Sequence, residues 1–176
     1  MTVEERQKIV DDFRKTFQGK PLKELEKIEE KLVKEADKID KEVTSQEFKL
    51  DAENYELVAT NIRKFLDTQT VQWQYTLGMV GMYDFWDPEK KPDTIPYPQL
   101  DGILRTLGSM QFTGYEQWAA VIAINKYFEP LHKEYEEATE KIILIGAKHN
   151  ALMDEMARNE PIGDISGKNH NDKIAS

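Results

Sequence analysis

Apolar residues recur three and four positions apart along the last third of the chain. The alternation continues over five heptads, which is typical of one long helix with a coiled-coil-like seam. It predicts a helix over residues 114–158. The seam residues are Val121, Ile124, Phe128, Leu131, Tyr135, Ala138, Ile142, Ile145, His149, Leu152 and Met156.

A second stretch with helical spacing predicts a helix over residues 45–85. Its apolar residues are Phe48, Ala52, Tyr55, Ala59, Ile62, Leu66, Trp73, Val80 and Tyr83. Helices of this length are roughly 60 Å long at about 1.5 Å per residue, and a connection of moderate length lets them fold back on each other. The predicted fold class is therefore all-α: an elongated antiparallel helical hairpin, bundle-like, packed with shorter helices at 3–18, 21–43 and 98–107.

Helix ends are marked by capping and breaking residues. Three Thr-x-x-Glu sequences match the capping box, in which each side chain bonds a backbone N–H of the first turn; they are Thr2–Glu5, Thr44–Glu47 and Thr113–Glu116. Proline in the first turn marks two further starts, and glycine or proline marks the stops. These residues are Pro21 and Pro98 for the starts, and Gly19, Gly108 and Pro161 for the stops.

The pattern divides the chain into three segments. Residues 1–43 form charged helices that pack on the open end of the hairpin. Residues 44–158 form the hairpin, and their portion 68–125 is rich in aromatic residues and poor in charge; we call this portion the head. Residues 159–176 have no periodicity and are predicted to form an extended tail.

Net charge narrows the classes of partner. The chain carries 33 acidic and 24 basic residues, a net charge of −9, which argues against nucleic acid as a partner. It has no cysteine, and no signal segment precedes the first predicted helix, so a cytoplasmic location is expected. The longest charge-free run, residues 68–83, is too short and too polar to span a bilayer, and no membrane partner is predicted.

One short motif has the spacing of a metal site. Glu129 and His132 form a Glu-x-x-His pair, which di-iron helical bundles use in two copies together with further carboxylates. Here there is one copy. His149 follows His132 by 17 residues, about 260° around a helix, so the two imidazoles do not converge. The sequence predicts no metal site and no cofactor.

The remaining titratable residues indicate no catalytic site. His149 occupies a seam position, where a polar residue that sets helix register is favoured over a pH-sensitive group. Asp84, Asp87 and Asp93 are spread along a polar loop without a histidine or serine partner, so turns explain them better than acid–base chemistry. The protein is predicted not to be an enzyme.

The head is the feature that indicates a function. Two long helices and one short helix cannot bury apolar residues on nearly all sides, and exposed apolar patches usually mark a partner surface. Large aromatics are the expected anchors, and apolar residues of the tail are expected to clasp a neighbour. The interface candidates are Trp73, Trp86, Tyr97, Phe112, Trp118, Ile162, Ile165 and Ile174.

Three hypotheses follow. The leading one is a non-enzymatic structural or interaction subunit that docks through the head into a homo-oligomer or a larger protein assembly, with a component of a tailed-phage particle as its specific form. The second is a helical-bundle protein that binds a metal or small ligand between its helices. The third is an acidic adaptor or chaperone-like module that is monomeric alone and binds another protein.

Overall fold

Helices make up most of the protein. The computed structural model describes residues 1–85 and 89–159. The helices are α1 (Val3–Lys15), α2 (Leu22–Thr44), α3 (Tyr55–Asp67), α4 (Val71–Met79), α5 (Tyr97–Ser109), α6 (Tyr115–Phe128) and α7 (His132–Arg158), with 3-10 helices at Met82–Phe85 and Glu129–Leu131. Two short strands, β1 (Glu47–Lys49) and β2 (Thr94–Pro96), pair in antiparallel fashion. The all-α class is confirmed, and no helix among the described residues is long and apolar enough to cross a membrane.

The chain forms two compact units. One consists of residues 1–39 together with the described part of 140–176, and the other of residues 40–139. The boundaries fall inside α2 and α7, so both helices contribute residues to both units. The predicted tail lies outside the described residues except for Asn159.

The first unit is held by an apolar core between α1, α2 and α7. Its buried residues are Val10, Phe17, Leu25, Leu32, Ile145, Ala151 and Leu152. The guanidinium group of Arg6 donates one hydrogen bond to each carboxylate oxygen of Glu140, at 2.6 and 2.7 Å. The buried carboxylate of Glu155 accepts a 3.1 Å hydrogen bond from the backbone N–H of Gly19. The Thr2–Glu5 capping box is present as predicted, with both reciprocal bonds formed.

The prediction of a single helix over residues 45–85 is wrong, because this range contains a strand, two α-helices and a 3-10 helix. Thr44 is the last residue of α2, and its hydroxyl donates to the carbonyl of Asp40 rather than capping a new helix. Residues 47–49 are extended in β1. The carboxylate of Asp51 then accepts hydrogen bonds from the Glu53 N–H and from the side chain of Asn54. These two bonds hold residues 51–54 in a turn. Helix α3 therefore begins only after these turn residues, which favour local bonds over a helix.

A shorter antiparallel pair replaces the predicted long hairpin. Gln117, near the start of α6, donates to the carbonyl of Thr68 at the end of α3. Tyr127, near the end of α6, donates to the carbonyl of Asp51 before the start of α3. The two helices are 13 and 14 residues long. They run antiparallel and pack against each other.

The C-terminal helical segment matches its predicted range. Helix α6, the 3-10 helix at Glu129–Leu131 and α7 follow one another from residue 115 to residue 158. Pro130 lies in the 3-10 part, where its missing N–H interrupts the α-helical bonding. The start differs from the predicted capping box: Gly114, at φ +94°, precedes the helix, and the N–H of Thr113 donates to the side chain of Gln117.

Candidate protein interaction surface

Helix α4 exposes three large apolar side chains on one side. Val71, Tyr75 and Met79 are four residues apart, which places them in one row along the helix. They are 82%, 70% and 73% exposed, respectively. On the opposite side of the same helix Leu77 is completely buried. We call the row of Val71, Tyr75 and Met79 the α4 face.

Contacts at both ends hold α4 in this orientation. Its first turn is capped by Thr70, whose hydroxyl accepts from the Trp73 N–H, and Gln74 donates a 3.0 Å bond to the Leu66 carbonyl of α3. The chain turns at Gly81, whose φ of +80° favours glycine. There Gln99 donates to the Gly81 carbonyl at 2.9 Å. These bonds tie α4 to α3 and α5, so the α4 face is presented by a fixed element.

An open groove accompanies the α4 face. It has a volume of about 440 Å³ and is lined by Val71, Gln74, Tyr75, Gly78, Met79 and Tyr83. The Tyr83 ring lies against Gly78, where an added Cβ would come within 3.0 Å of it. The Tyr83 ring therefore occupies the space beside Gly78, next to Met79.

Helix α6 exposes a second apolar row. Tyr115, Trp118 and Ile122 lie at i, i+3 and i+7 and are 78%, 55% and 43% exposed. The other side of α6 carries the buried residues Ala120, Val121, Ile124 and Phe128. We call the exposed row the α6 face. Beside it lies a groove of about 500 Å³ between α3 and α6, with Phe65 and Tyr115 among its lining.

The predicted anchors have different environments. Trp118 is exposed, whereas Trp73 and Phe112 are half-buried, and the Phe112 ring packs edge-on against Phe65 at a centroid distance of 6.2 Å. Tyr97 is not available as an anchor because it is 5% exposed and stacks on Tyr135. The four remaining candidates lie outside the described residues; they are Trp86, Ile162, Ile165 and Ile174.

Of the residues that form the α4 and α6 faces, only Trp118 is among the interface candidates predicted from the sequence. The apolar series predicted for residues 45–85 includes Trp73 and Val80 as core residues. It therefore does not indicate that Val71, Tyr75 and Met79 form an exposed face. The spacing of Val71, Tyr75 and Met79 at i, i+4 and i+8 within an uncharged stretch was a readable sign of this face. On α6 the sequence identified Trp118 but not the neighbouring Tyr115 and Ile122.

Neither His132 nor His149 belongs to the α4 or α6 face. His132 opens α7, and its Nε2 atom is buried without a hydrogen-bond partner among the described residues. The Nε2 atom of His149 is also buried without a hydrogen-bond partner among the described residues, and it lies 3.8 Å from the Glu29 carboxylate. Glu129, the other member of the Glu-x-x-His pair, is exposed. Within residues 1–85 and 89–159 no three His, Asp or Glu side chains are grouped closely enough to hold a metal ion.

A polar network surrounds the stacked pair of buried Tyr97 and half-buried Tyr135 in the second unit. Tyr135 donates a 2.7 Å hydrogen bond to Asp101, which also pairs with Arg105 at 2.8 Å. The hydroxyls of Tyr97 and Thr139 are 2.9 Å apart. Burial, followed by the bond to Asp101, raises the pKa of Tyr135 to about 12. The two hydrogen bonds position α5 against the first turns of α7.

Comparison with known proteins adds no functional assignment. No protein-family model, no curated protein and no solved structure matches the chain. The function is therefore argued from the surfaces of the chain itself.

Proposed function

We propose that this protein is a non-enzymatic interaction subunit that assembles with other protein chains through the α4 and α6 faces. The observation that carries the proposal is the α4 face, whose three large apolar side chains are each at least 70% exposed. Single exposed apolar residues are common, but contiguous exposed rows usually mark a partner surface.

The composition of the two faces supports a protein partner. The α4 face lies within the charge-free run 68–83, and the α6 face lies mostly within the charge-free run 117–125. Interface cores are depleted in charge and enriched in tyrosine, tryptophan and methionine. Each of these three residue types occurs in the faces. The acidic surface elsewhere in the chain keeps it soluble and disfavours non-specific association.

Exposed apolar rows on two different helices support an assembly larger than a pair. A single self-complementary face closes a dimer, whereas a second face on another helix leaves a contact site open after the first is filled. Assembly into a particle such as a phage capsid or connector is the extreme case of this arrangement. The proposal therefore covers a homo-oligomer and a larger assembly, and the number of copies distinguishes them.

The test is the mass of the protein in solution as a function of concentration. We expect the unmodified chain to associate in sedimentation velocity and multi-angle light scattering, and we expect Tyr75→Glu and Trp118→Glu to weaken association because a buried unpaired charge is costly. Leu57→Glu is the matched control, because Leu57 is 64% exposed on α3 and belongs to neither face.

Circular dichroism separates loss of association from loss of fold. Both face variants are expected to keep the helical signal of the unmodified chain, since the substituted side chains are exposed. Electron microscopy of the unmodified chain then shows whether its assemblies are closed oligomers or particles. A chain that stays monomeric across the micromolar range would overturn the proposal and favour the acidic adaptor.

A further inference from the structure

We infer that the partner of the α4 face is a second copy of this chain, and that the two α4 helices pack antiparallel across a two-fold axis at Tyr75. The inference rests on the proposed function and names the partner and geometry for one of its faces. Three properties of the α4 face lead to it: its lack of charge, its symmetry and its area.

The lack of charge fits a partner that carries the same net charge. Two copies with a net charge of −9 repel each other at long range. A contact between uncharged surfaces adds no local repulsion to this, and residues 68–83 form the longest charge-free run in the chain. A basic partner would gain nothing from this run and would be attracted to the acidic surface elsewhere.

The α4 face is symmetric about its central residue. Val71 and Met79 lie four residues before and after Tyr75, each about 6 Å along the helix axis. An isologous two-fold contact requires that if one residue meets another, the reverse contact also forms. In an antiparallel pair Tyr75 meets its own copy, and Val71 meets Met79 of the other copy twice.

Side-chain size favours the antiparallel over the parallel arrangement. A parallel pair would place two valines at one end and two methionines at the other, leaving a gap beside a bulge. The antiparallel pair places the smaller Val71 against the larger Met79 at both ends, so that small and large side chains alternate across the contact. Antiparallel helix dipoles also attract each other.

The available area is sufficient for a weak dimer. An aromatic side chain offers about 150–250 Å², so the α4 face with the 42%-exposed Tyr83 presents roughly 500 Å² per copy. Complete burial of this surface on both copies would remove about 1,000 Å² from solvent, which is the lower limit for a specific interface. The dimer is therefore expected to dissociate on dilution.

Cysteine cross-linking tests the geometry directly, because the chain contains no cysteine of its own. A disulfide forms only when the two Cα atoms approach within about 7 Å. Under mild oxidation Tyr75→Cys is expected to give a covalent dimer by itself. Val71→Cys and Met79→Cys are expected to give none alone but a covalent dimer when mixed with each other. Leu57→Cys is the exposed control outside the face and should remain monomeric on a non-reducing gel.

Each outcome supports or overturns the inference. Self-cross-linking of Val71→Cys and of Met79→Cys would show a parallel pair, and oligomers without any cross-link at the three positions would place the contact elsewhere; either result overturns the inference while the proposed function stands. A monomeric unmodified chain overturns both. The mixed pair retains Tyr75, so the result does not depend on whether Tyr75→Cys itself weakens the dimer.

Discussion

Phe48 and Ile95 lie directly opposite each other in the antiparallel pair of β1 and β2, and both side chains are completely buried. Backbone hydrogen bonds extend the pair at each end, from the Leu50 N–H to the Asp93 carbonyl and from the Tyr97 N–H to the Gln46 carbonyl, each at 2.9 Å. Because segments almost fifty residues apart meet here, the pair fixes where α5 begins relative to β1 within the second unit.

The first prediction concerns this pair. Phe48→Ala is expected to lower the free energy of unfolding by about 3–5 kcal/mol, because it removes a fully buried aromatic ring and leaves a cavity. Lys49→Ala, in the same strand but exposed, is the control and should change stability by no more than about 0.5 kcal/mol. Chemical denaturation measures both. Similar losses in the two variants would mean that Phe48 is not part of the core.

The sequence predicted those parts of the fold that depend on local spacing. Every residue of the predicted seam between Val121 and Met156 is buried or half-buried. A long apolar stripe with helical spacing lies along one face of a helix, and only packing that face against the rest of the protein removes it from water. The pairing of Phe48 with Ile95 was not readable, since three-residue strands carry too little pattern and their partner is distant in the chain. Phe48 and Tyr55 are seven residues apart, a helical spacing that here spans a strand and a turn.

The sequence predicts the segment that contains the candidate site from its composition, but it does not predict which side chains of that segment are exposed. The low charge and high aromatic content of the head indicated a surface, and Trp118 is indeed exposed. Whether a given aromatic is exposed depends on tertiary partners that no local pattern reveals. The sequence predicts Tyr97 as an anchor, but its ring is buried and stacks on Tyr135 at a centroid distance of 5.7 Å.

A second prediction distinguishes threonines that match the same sequence motif. Thr2→Ala is expected to destabilise the protein by about 1 kcal/mol, since Thr2 caps α1 through its hydroxyl. Thr44→Ala should cost less than about 0.5 kcal/mol, because Thr44 ends α2 at an exposed position and caps no helix start. Thermal or chemical unfolding compares the two; equal costs would contradict the different roles assigned to them.

The third prediction concerns alkaline pH. Burial raises the pKa of Tyr127 and of Tyr135 from 10.0 to about 12. Between these values the unfolded chain has released the phenol protons while the folded chain still holds them. The unfolded state therefore binds fewer protons, and the free energy of unfolding falls as the pH rises from about 10 to about 12. Denaturation curves at several pH values in this window measure the slope.

Phenylalanine variants assign that slope to the two tyrosines. Tyr127→Phe and Tyr135→Phe each remove one titrating hydroxyl, so each should flatten the decline in stability above about pH 10. Both are also expected to lose about 0.5–1.5 kcal/mol at neutral pH, because the hydroxyls donate to the Asp51 carbonyl and to the Asp101 carboxylate. An unchanged alkaline slope in the double variant would show that other groups cause it.

The fourth prediction is that association strengthens with ionic strength. The α4 face is uncharged, so salt weakens no attraction there, while it screens the repulsion between copies that each carry a net charge of −9. The screening length falls from about 10 Å at 0.1 M to about 3 Å at 1 M salt. The dissociation constant from sedimentation equilibrium should therefore fall several-fold as sodium chloride is raised across this range.

Charge removal outside the two faces separates this effect from salting-out of apolar surface. Glu26 and Asp37 are exposed residues of α2, and the double variant Glu26→Gln, Asp37→Asn removes two acidic charges without touching α4 or α6. With less repulsion to screen, its dissociation constant at low salt should be lower and its salt dependence shallower than those of the unmodified chain. A dissociation constant that rises with salt would instead indicate an interface built on opposite charges, which the charge-free α4 face does not supply.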